Sequence, residues 1–334
     1  MTVLCFGEIL LRMTAPGREL MLQKPRLDVY VAGAEANVGV GLANLGHRVK
    51  MVTCLPDNAL GQAALDEVRR HGVDVAGVAR TPGRMGLYFL TQGAGLRASE
   101  IFYDRRDSSF ARASAGDFDW DSLLAGVDLL HLSGITPALG PRSAEAAVAA
   151  AEAAVRLGIP ISFDGNYRAQ LWEAWDSDPR EILTRLVSKA RILFGNHRDI
   201  SLLLGADFSG EGADRRRIAS EAAFAAFPNL AMIASTARHA EDADRHLISA
   251  RIDTPEDAVQ TEEVLVAGIV DRIGAGDAFA AGILHGVRGG RELDWTVRSG
   301  LALTCLKHSL PGDFSLFAPS DIEAFMAGGL DVRR

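Results

Sequence analysis

Short apolar runs alternate with alanine-rich stretches of helical spacing along most of the chain, and this alternation limits the possible folds more than any other feature. Val3–Phe6 reads as a buried strand ending in Gly7-Glu8, and Glu35–Leu45 as a helix stopped by Gly46. Val49–Cys54 and Ala59–His71 repeat the pair, with Gly72 as the stop. Asp128–Ser133 is strand-like, and Pro141–Leu157 is an alanine-rich helix ended by Gly158 with Pro160 beyond it. Ile159–Asp164, Arg191–Gly195 and Leu230–Ser235 are further strands. Strands and helices in such succession build an α/β fold whose mainly parallel sheet is covered on both faces. Leu20–Val31 and Gly86–Tyr103 break the rhythm: they alternate apolar and polar residues without helical spacing. That pattern suits antiparallel strands set apart from the main sheet, either as a lid over a cleft or as an ordinary edge hairpin.

A length of 334 residues with 48% hydrophobic content suits one large domain, expected over residues 1–330, with lid strands from 12–31 and 84–112. The formal net charge of -8 argues against nucleic acid as a partner, since phosphate backbones need a basic surface. Cys5, Cys54 and Cys305 are scattered and read as free thiols in a reducing compartment. Glu8 and Arg12 interrupt the first apolar run, so neither a signal peptide nor a membrane span is expected, and the location is expected to be cytoplasmic.

The segment Asp271-Arg-Ile-Gly-Ala-Gly-Asp277 carries the chemistry. Gly274 and Gly276 precede Asp277 where a helical pattern begins, which aims free backbone amides and a helix dipole at one small volume. A carboxylate there can take a proton from a hydroxyl while the amides hold a phosphoryl group. A glycine turn with Asp277 as a mere N-cap is the plain alternative.

Gly274-Ala-Gly-Asp277 with the following Ala-Phe-Ala-Ala-Gly282 resembles the C-terminal signature of the ribokinase-like (PfkB) carbohydrate kinases. Gly33-Ala-Glu-Ala-Asn37, followed by a small-residue helix and Leu45-Gly46, resembles the N-terminal signature of the same family. Within it, Ile101-Phe-Tyr-Asp-Arg105, Leu132–Leu139, Phe163-Asp-Gly-Asn-Tyr-Arg168 with Leu171-Trp172, and Lys307–Phe314 look most like the 2-keto-3-deoxygluconate kinases. The resemblance implies a three-layer α/β/α sandwich with a small β-sheet lid, ATP as phosphoryl donor and Mg2+. It implies Asp277 as general base, ionised with an ordinary pKa, and an anion hole from Gly274, Ala275, Gly276 and Asp277.

The acceptor side is expected to be formed by Gly33, Asn37, Tyr88, Tyr103, Arg105 and Arg168. Two arginines favour a sugar acid, because guanidinium holds a carboxylate bidentately and a neutral sugar does not require it. Each has a competing reading: Arg105 as a surface charge, Arg168 as the partner of Asp164, Tyr88 as a core residue. Where neutral-sugar members of the family carry an Asp after the first strand, Glu8 and Arg12 stand here. On the nucleotide side the resemblance implies Asn196, Thr236, Arg238 and Lys307, with Asp199 acting indirectly on the metal in place of the family's Glu. The usual glycine-rich loop is replaced by Ser235–Ala240. The expected partners are a small sugar acid and ATP, with neither membrane nor nucleic acid, and a homo-oligomer formed through the lid sheet. The leading expectation is transfer to the C6 hydroxyl of 2-keto-3-deoxygluconate. Fructose or 2-keto-3-deoxygalactonate are alternatives, and a non-catalytic sugar-acid sensor is the alternative from another class.

Overall fold

The computed structural model describes residues 1–328, so the expected domain limit at residue 330 lies outside the described residues. The strands in chain order are β1 (Thr2–Phe6), β2 (Leu10–Thr14), β3 (Asp28–Ala32), β4 (Arg48–Pro56), β5 (Val78–Thr81), β6 (Gly86–Thr91) and β7 (Glu100–Asp104). They continue as β8 (Leu129–Ser133), β9 (Ile161–Asp164), β10 (Ile192–Phe194), β11 (Met232–Asp242), β12 (Arg245–Asp253), β13 (Ala258–Gln260) and β14 (Val264–Ala267). The main sheet has 10 strands in the order β13-β12-β11-β10-β9-β8-β1-β4-β5, with β14 also on β12. From β11 across to β5 all pairings are parallel; β12 runs antiparallel to its three neighbours.

Alternation along each strand sends side chains to two separate cores. Val3, Cys5, Val49 and Met51 face one, under the helices Ala34–Asn44, Ala275–Arg288 and Leu293–Lys307. Leu4, Phe6, Val52 and Cys54 face the other, under Pro141–Arg156 and Pro179–Val187. The result is a three-layer α/β/α body. The helices Ala275–Arg288 and Leu293–Lys307 touch backbone to backbone, because a Cβ at Gly282 would come within 2.6 Å of the Ser299 carbonyl oxygen. This close approach fixes the height of the helix that carries Asp277.

A separate 4-stranded sheet has the order β3-β2-β6-β7. Its bounds differ from expectation in one respect. Residues Leu20–Arg26 form turns and loop rather than strand, and the central strand Leu10–Thr14 begins two residues before the expected lid limit at residue 12. Its two outer pairings are antiparallel, but β2 and β6 run parallel, with Leu10 facing Gly86. The β11–β12 hairpin was also missed: the sequence suggested a strand only as far as Ser235, and β11 runs on to Asp242. Among the described residues no helix is long and apolar enough to cross a membrane.

Candidate active site

A cavity of about 940 Å³ opens at the carboxyl ends of β9 and β10, where open α/β sheets place ligands. Its lining includes Gly274, Ala275, Gly276 and Asp277 at the start of the Ala275–Arg288 helix. Gly274 is the N-cap with φ +79°, a left-handed conformation that suits glycine, and no side chain caps the helix. A Cβ at Gly274 would overlap the Asp313 carbonyl oxygen, whereas the space around Gly276 is open. The Ala275 amide meets only the Arg272 carbonyl, at 3.4 Å, and the Gly276 and Asp277 amides beside it are left for an anion, with the helix dipole behind them.

Asp277 is not the ordinary carboxylate expected from the sequence. Burial raises its pKa from 3.8 to about 7, with Asp313 and Glu35 adding to the rise; the bond from Asn37 opposes it. Asn37 Nδ2 donates to Asp277 Oδ2 at 2.7 Å, while its buried Oδ1 has no partner. Asn37 thus has only one free end. Glu35, two residues earlier, is wholly buried and accepts from the Ser133 and Thr136 hydroxyls at 2.8 and 2.7 Å. Gly33, at φ 152°, brings the chain against the Glu8 carbonyl oxygen, where a Cβ has no room.

Tyr88, Tyr103 and Arg105 reach the same cavity from the small sheet and its exit. Arg105 is 5% exposed, which removes the reading of it as a surface charge. Its Nε donates to Glu8 Oε2 at 2.6 Å, and the other Glu8 oxygen accepts from Ser108. Its terminal nitrogens bond to no described residue, so Glu8 holds the guanidinium by one edge and leaves the rest to the cavity. The Tyr88 hydroxyl proton is already donated to Asp313 at 2.6 Å, so its oxygen can only accept from a ligand, beside the contact its ring makes. Arg168 lines the cavity and donates to the Tyr167 carbonyl at 3.0 Å rather than forming an ion pair with Asp164.

A further part of the lining comes from Asn196, Asp199, Thr236 and Arg238. Asn196 and Asp199 form a capping box on the helix His197–Leu204: the Asn196 amide donates to Asp199 Oδ2 and the Arg198 amide to Asn196 Oδ1, each at 2.8 Å. Burial raises the Asp199 pKa. Lys307 does not belong here. It is fully buried, its Nζ donates to the Leu310 carbonyl at 3.0 Å, and it is absent from the lining, so the expected nucleotide contact is withdrawn. Arg12, too, is enclosed rather than offered to a ligand, because Asp271 and Asp313 bind it from both sides.

Two lining residues escaped the sequence reading. Asp164 has its pKa raised to about 8 by burial and by Asp277 and Asp199. It ends the apolar run of β9, and that strand-end position was the available signal. Arg272 stands two residues before Gly274, and its pKa is lowered by burial and by Arg238 beside it. Neither arginine has a carboxylate partner within ion-pair distance among the described residues. Two unneutralised guanidiniums beside a helix N-terminus form a place for phosphate oxygens. No group of three or more acidic, histidine or cysteine side chains among the described residues can cage a metal alone. Asp164 and Asp199 fit Mg2+ in its usual setting instead, where phosphates and water fill most of the shell.

The family model described as pfkB family carbohydrate kinase matches residues 2–315. The chain is 30% identical to a 2-dehydro-3-deoxygalactonokinase of Haloferax volcanii, over 97% of this chain and 96% of that one. It is 27% identical to a 2-dehydro-3-deoxygluconokinase of Bacillus subtilis, over 85% and 82%. The crystal structure of the 2-dehydro-3-deoxygluconokinase of Thermotoga maritima superposes with a TM-score of 0.92 at 34% identity, covering 98% of this chain and 100% of that one.

Proposed function

The chain belongs to the pfkB family of carbohydrate kinases, and we propose that it moves the γ-phosphoryl group of ATP to the terminal C6 hydroxyl of 2-keto-3-deoxygluconate, also called 2-dehydro-3-deoxygluconate. The observation that carries this reading is the shared cavity: Arg105 and Arg168 lie on the same surface as Asp277 and the Gly274 turn. The two guanidiniums suit the carboxylate of a sugar acid. A carboxylate at the helix N-terminus suits its far hydroxyl.

Asp277 takes the hydroxyl proton as the sugar oxygen bonds to the γ-phosphorus and the bond from that phosphorus to the bridging oxygen breaks. A base with its pKa near 7 is matched to this task at neutral pH. Asn37 orients Asp277 by donating to one carboxylate oxygen and keeps its own unpartnered Oδ1 for a sugar hydroxyl. The amides from Gly274 to Asp277 take the charge on the transferring group, and Arg238 and Arg272 hold the remaining phosphates. Asp199 and Asp164 would hold Mg2+, which would supply neutralisation of phosphate charge there. Asn196 sets Asp199 in place, and Thr236 offers a hydroxyl to the nucleotide. Gly33 lets the backbone approach the sugar, and Tyr88 and Tyr103 cover it from the small sheet. That sheet serves as a lid that excludes water.

The C4-epimeric acceptor, 2-keto-3-deoxygalactonate, is the second reading, favoured by the relative from Haloferax volcanii. An assay that couples ADP formation to NADH loss, run with both epimers, fructose and ribose, tests the proposal. Higher kcat/KM for a 2-keto-3-deoxy acid supports it, the preferred epimer decides between the two readings, and preference for a neutral sugar overturns both.

The other face of the small sheet carries Val29, Met13, Phe89 and Phe102 in one cross-strand row, with Val29 and Phe102 exposed at 53% and 66%. This row has no charge to meet a polar partner, and a second copy of the same sheet complements it by symmetry. Sedimentation of the protein and of Phe102→Lys reads this directly: a dimer that the lysine splits is expected, and a monomeric wild type excludes the contact.

A further inference from the structure

Arg12 has no part in the steps above, although it is among the largest fully buried side chains of the protein. It lies in mid-β2 in a cross-strand row Tyr30–Arg12–Tyr88–Tyr103 on the small sheet. The guanidinium leaves that sheet and ties together two loops of the main body. Nη2 bonds to Asp271, Nη1 lies 2.9 Å from Asp313 Oδ1, and the group sits 4.5 Å over the centre of the Tyr30 ring.

Both acids shape the phosphate turn. Asp271 Oδ1 accepts from the Ile273 amide and Oδ2 from the Gly312 amide, each at 3.0 Å, which closes the loop just before Gly274. The Asp313 carbonyl oxygen packs against Gly274 itself, and its side chain also accepts from Tyr88. A continuous set of contacts therefore runs from the small sheet through Arg12 to the amides that are to bind the phosphoryl group. Burial opposes the charge on Arg12, but Asp313 and Asp271 outweigh it and hold the pKa above the ordinary value.

Stability alone is a weak reason for such a group. Buried ion pairs are frequently no better than apolar residues of the same volume, and here Arg12 Nε makes no hydrogen bond while Nη1 meets Asp313 Oδ1 as an ion pair without hydrogen-bond geometry. What an ion pair adds over an apolar side chain is a link to particular groups: the guanidinium is hydrogen-bonded to Asp271 and holds Asp313 by charge through its other terminal nitrogen.

We infer that Arg12 is a positioning residue for phosphoryl transfer, holding the Gly274–Asp277 turn in register with the small sheet through Asp271 and Asp313. This rests on the kinase reading above. A displacement of the turn by an ångström is enough to reduce turnover by about 10²-fold without removing any group that binds substrate.

The test uses the full chain with Arg12→Met, Arg12→Lys and Asp313→Asn. Two measurements are made: steady-state kinetics, and amide hydrogen exchange of the peptide spanning residues 271–280 beside that of the remote helix Pro141–Arg156. In Arg12→Met and Asp313→Asn, kcat is expected to fall by about 10²-fold with both KM values within a few-fold of wild type. Arg12→Lys should recover part of the loss, because an ammonium keeps the charge but not the two-sided geometry. Exchange should quicken in 271–280 and stay unchanged in the remote helix. Normal kcat in either neutral variant overturns the inference, as does exchange that quickens equally everywhere. Should Arg12→Met fail to fold, Arg12→Lys and Asp313→Asn decide alone. Exchange needs no acceptor, so a wrong substrate assignment shows as an inactive wild type while the exchange result still tests Arg12.

Discussion

Replacing Asp277 by Asn is expected to abolish most turnover and, above neutral pH, to make the protein more stable. Burial first, then Asp313 and Glu35, raises this carboxyl from 3.8 to about 7. An acid whose folded pKa is raised favours folding while protonated: its contribution is complete below the unfolded pKa and is lost as pH rises through the folded one. Between pH 3.8 and about 7 the native chain therefore holds a proton that the unfolded chain has released, and wild-type stability falls across that window. Each unit corresponds to about 1.36 kcal/mol, so a three-unit interval sets a ceiling of roughly 4 kcal/mol. Water in the open cavity lowers the realised penalty to about 1–2 kcal/mol. Asparagine has the same shape, carries no charge and still offers an oxygen to Asn37 Nδ2. It also removes one of the charges that raise Asp164 to about 8. Urea unfolding of both proteins at pH 5 and pH 8.5 measures the difference. The variant should gain on wild type by about 1–2 kcal/mol more at the higher pH, while kcat falls by about 10²–10⁴-fold. An equal offset at both pH values would refute the account of a charge disfavoured by its surroundings, and near-normal turnover would refute the base.

Three further outcomes follow from the same geometry. The base must be ionised, so kcat/KM should fall as pH drops below about 7, and Asn37→Ala, which removes the bond opposing the rise, should move that acidic limb to higher pH; an unmoved limb in the pH–rate profile assigns it to another group. Gly274→Ala places a Cβ on the Asp313 carbonyl at φ +79°, and thermal unfolding should show a loss of roughly 1–3 kcal/mol together with lost turnover; an unaffected variant contradicts the tight turn. Arg105→Met leaves Glu8 buried without its ion-pair partner and should cost roughly 3–5 kcal/mol. Adding Glu8→Gln should restore most of that stability but not the KM for the acid, and recovery of both would remove Arg105 from acceptor binding.

What the sequence discloses about this site is set by how local the cause is. The Gly274–Asp277 turn and the Gly33–Asn37 turn are legible because a left-handed glycine and a helix start are written in adjacent residues. The parallel sheet is legible for the same reason, since each strand and each helix carries its own period. Asp277 looked like an ordinary carboxylate because its pKa is set by burial and by Asp313 and Glu35, which are distant in the chain. Lys307 looked like a nucleotide contact because its helix was expected to border the adenine, whereas its Nζ turns back to the Leu310 carbonyl three residues on. Arg105 lines the cavity, and its brace, Glu8, lies 97 residues away. The strand Leu10–Thr14 falls only partly inside the lid expected from residue 12 on, and the reason an arginine can sit in it is two acids from the far end of the chain.

The parallel pairing of β2 with β6 has a bearing on how the molecule assembles. A hairpin can form from its own short stretch, but Leu10 meets Gly86 only after the intervening chain has returned through the main body. That closure is entropically slow, and it depends on β4 and its flanking helix already being in place. The small sheet should therefore be the last part to become ordered on refolding and the first to open in native-state exchange, as a unit distinct from the body. A chain in that late stage would hold a complete parallel core and an unfinished cavity, so recovery of helical signal during refolding should precede recovery of any ligand binding.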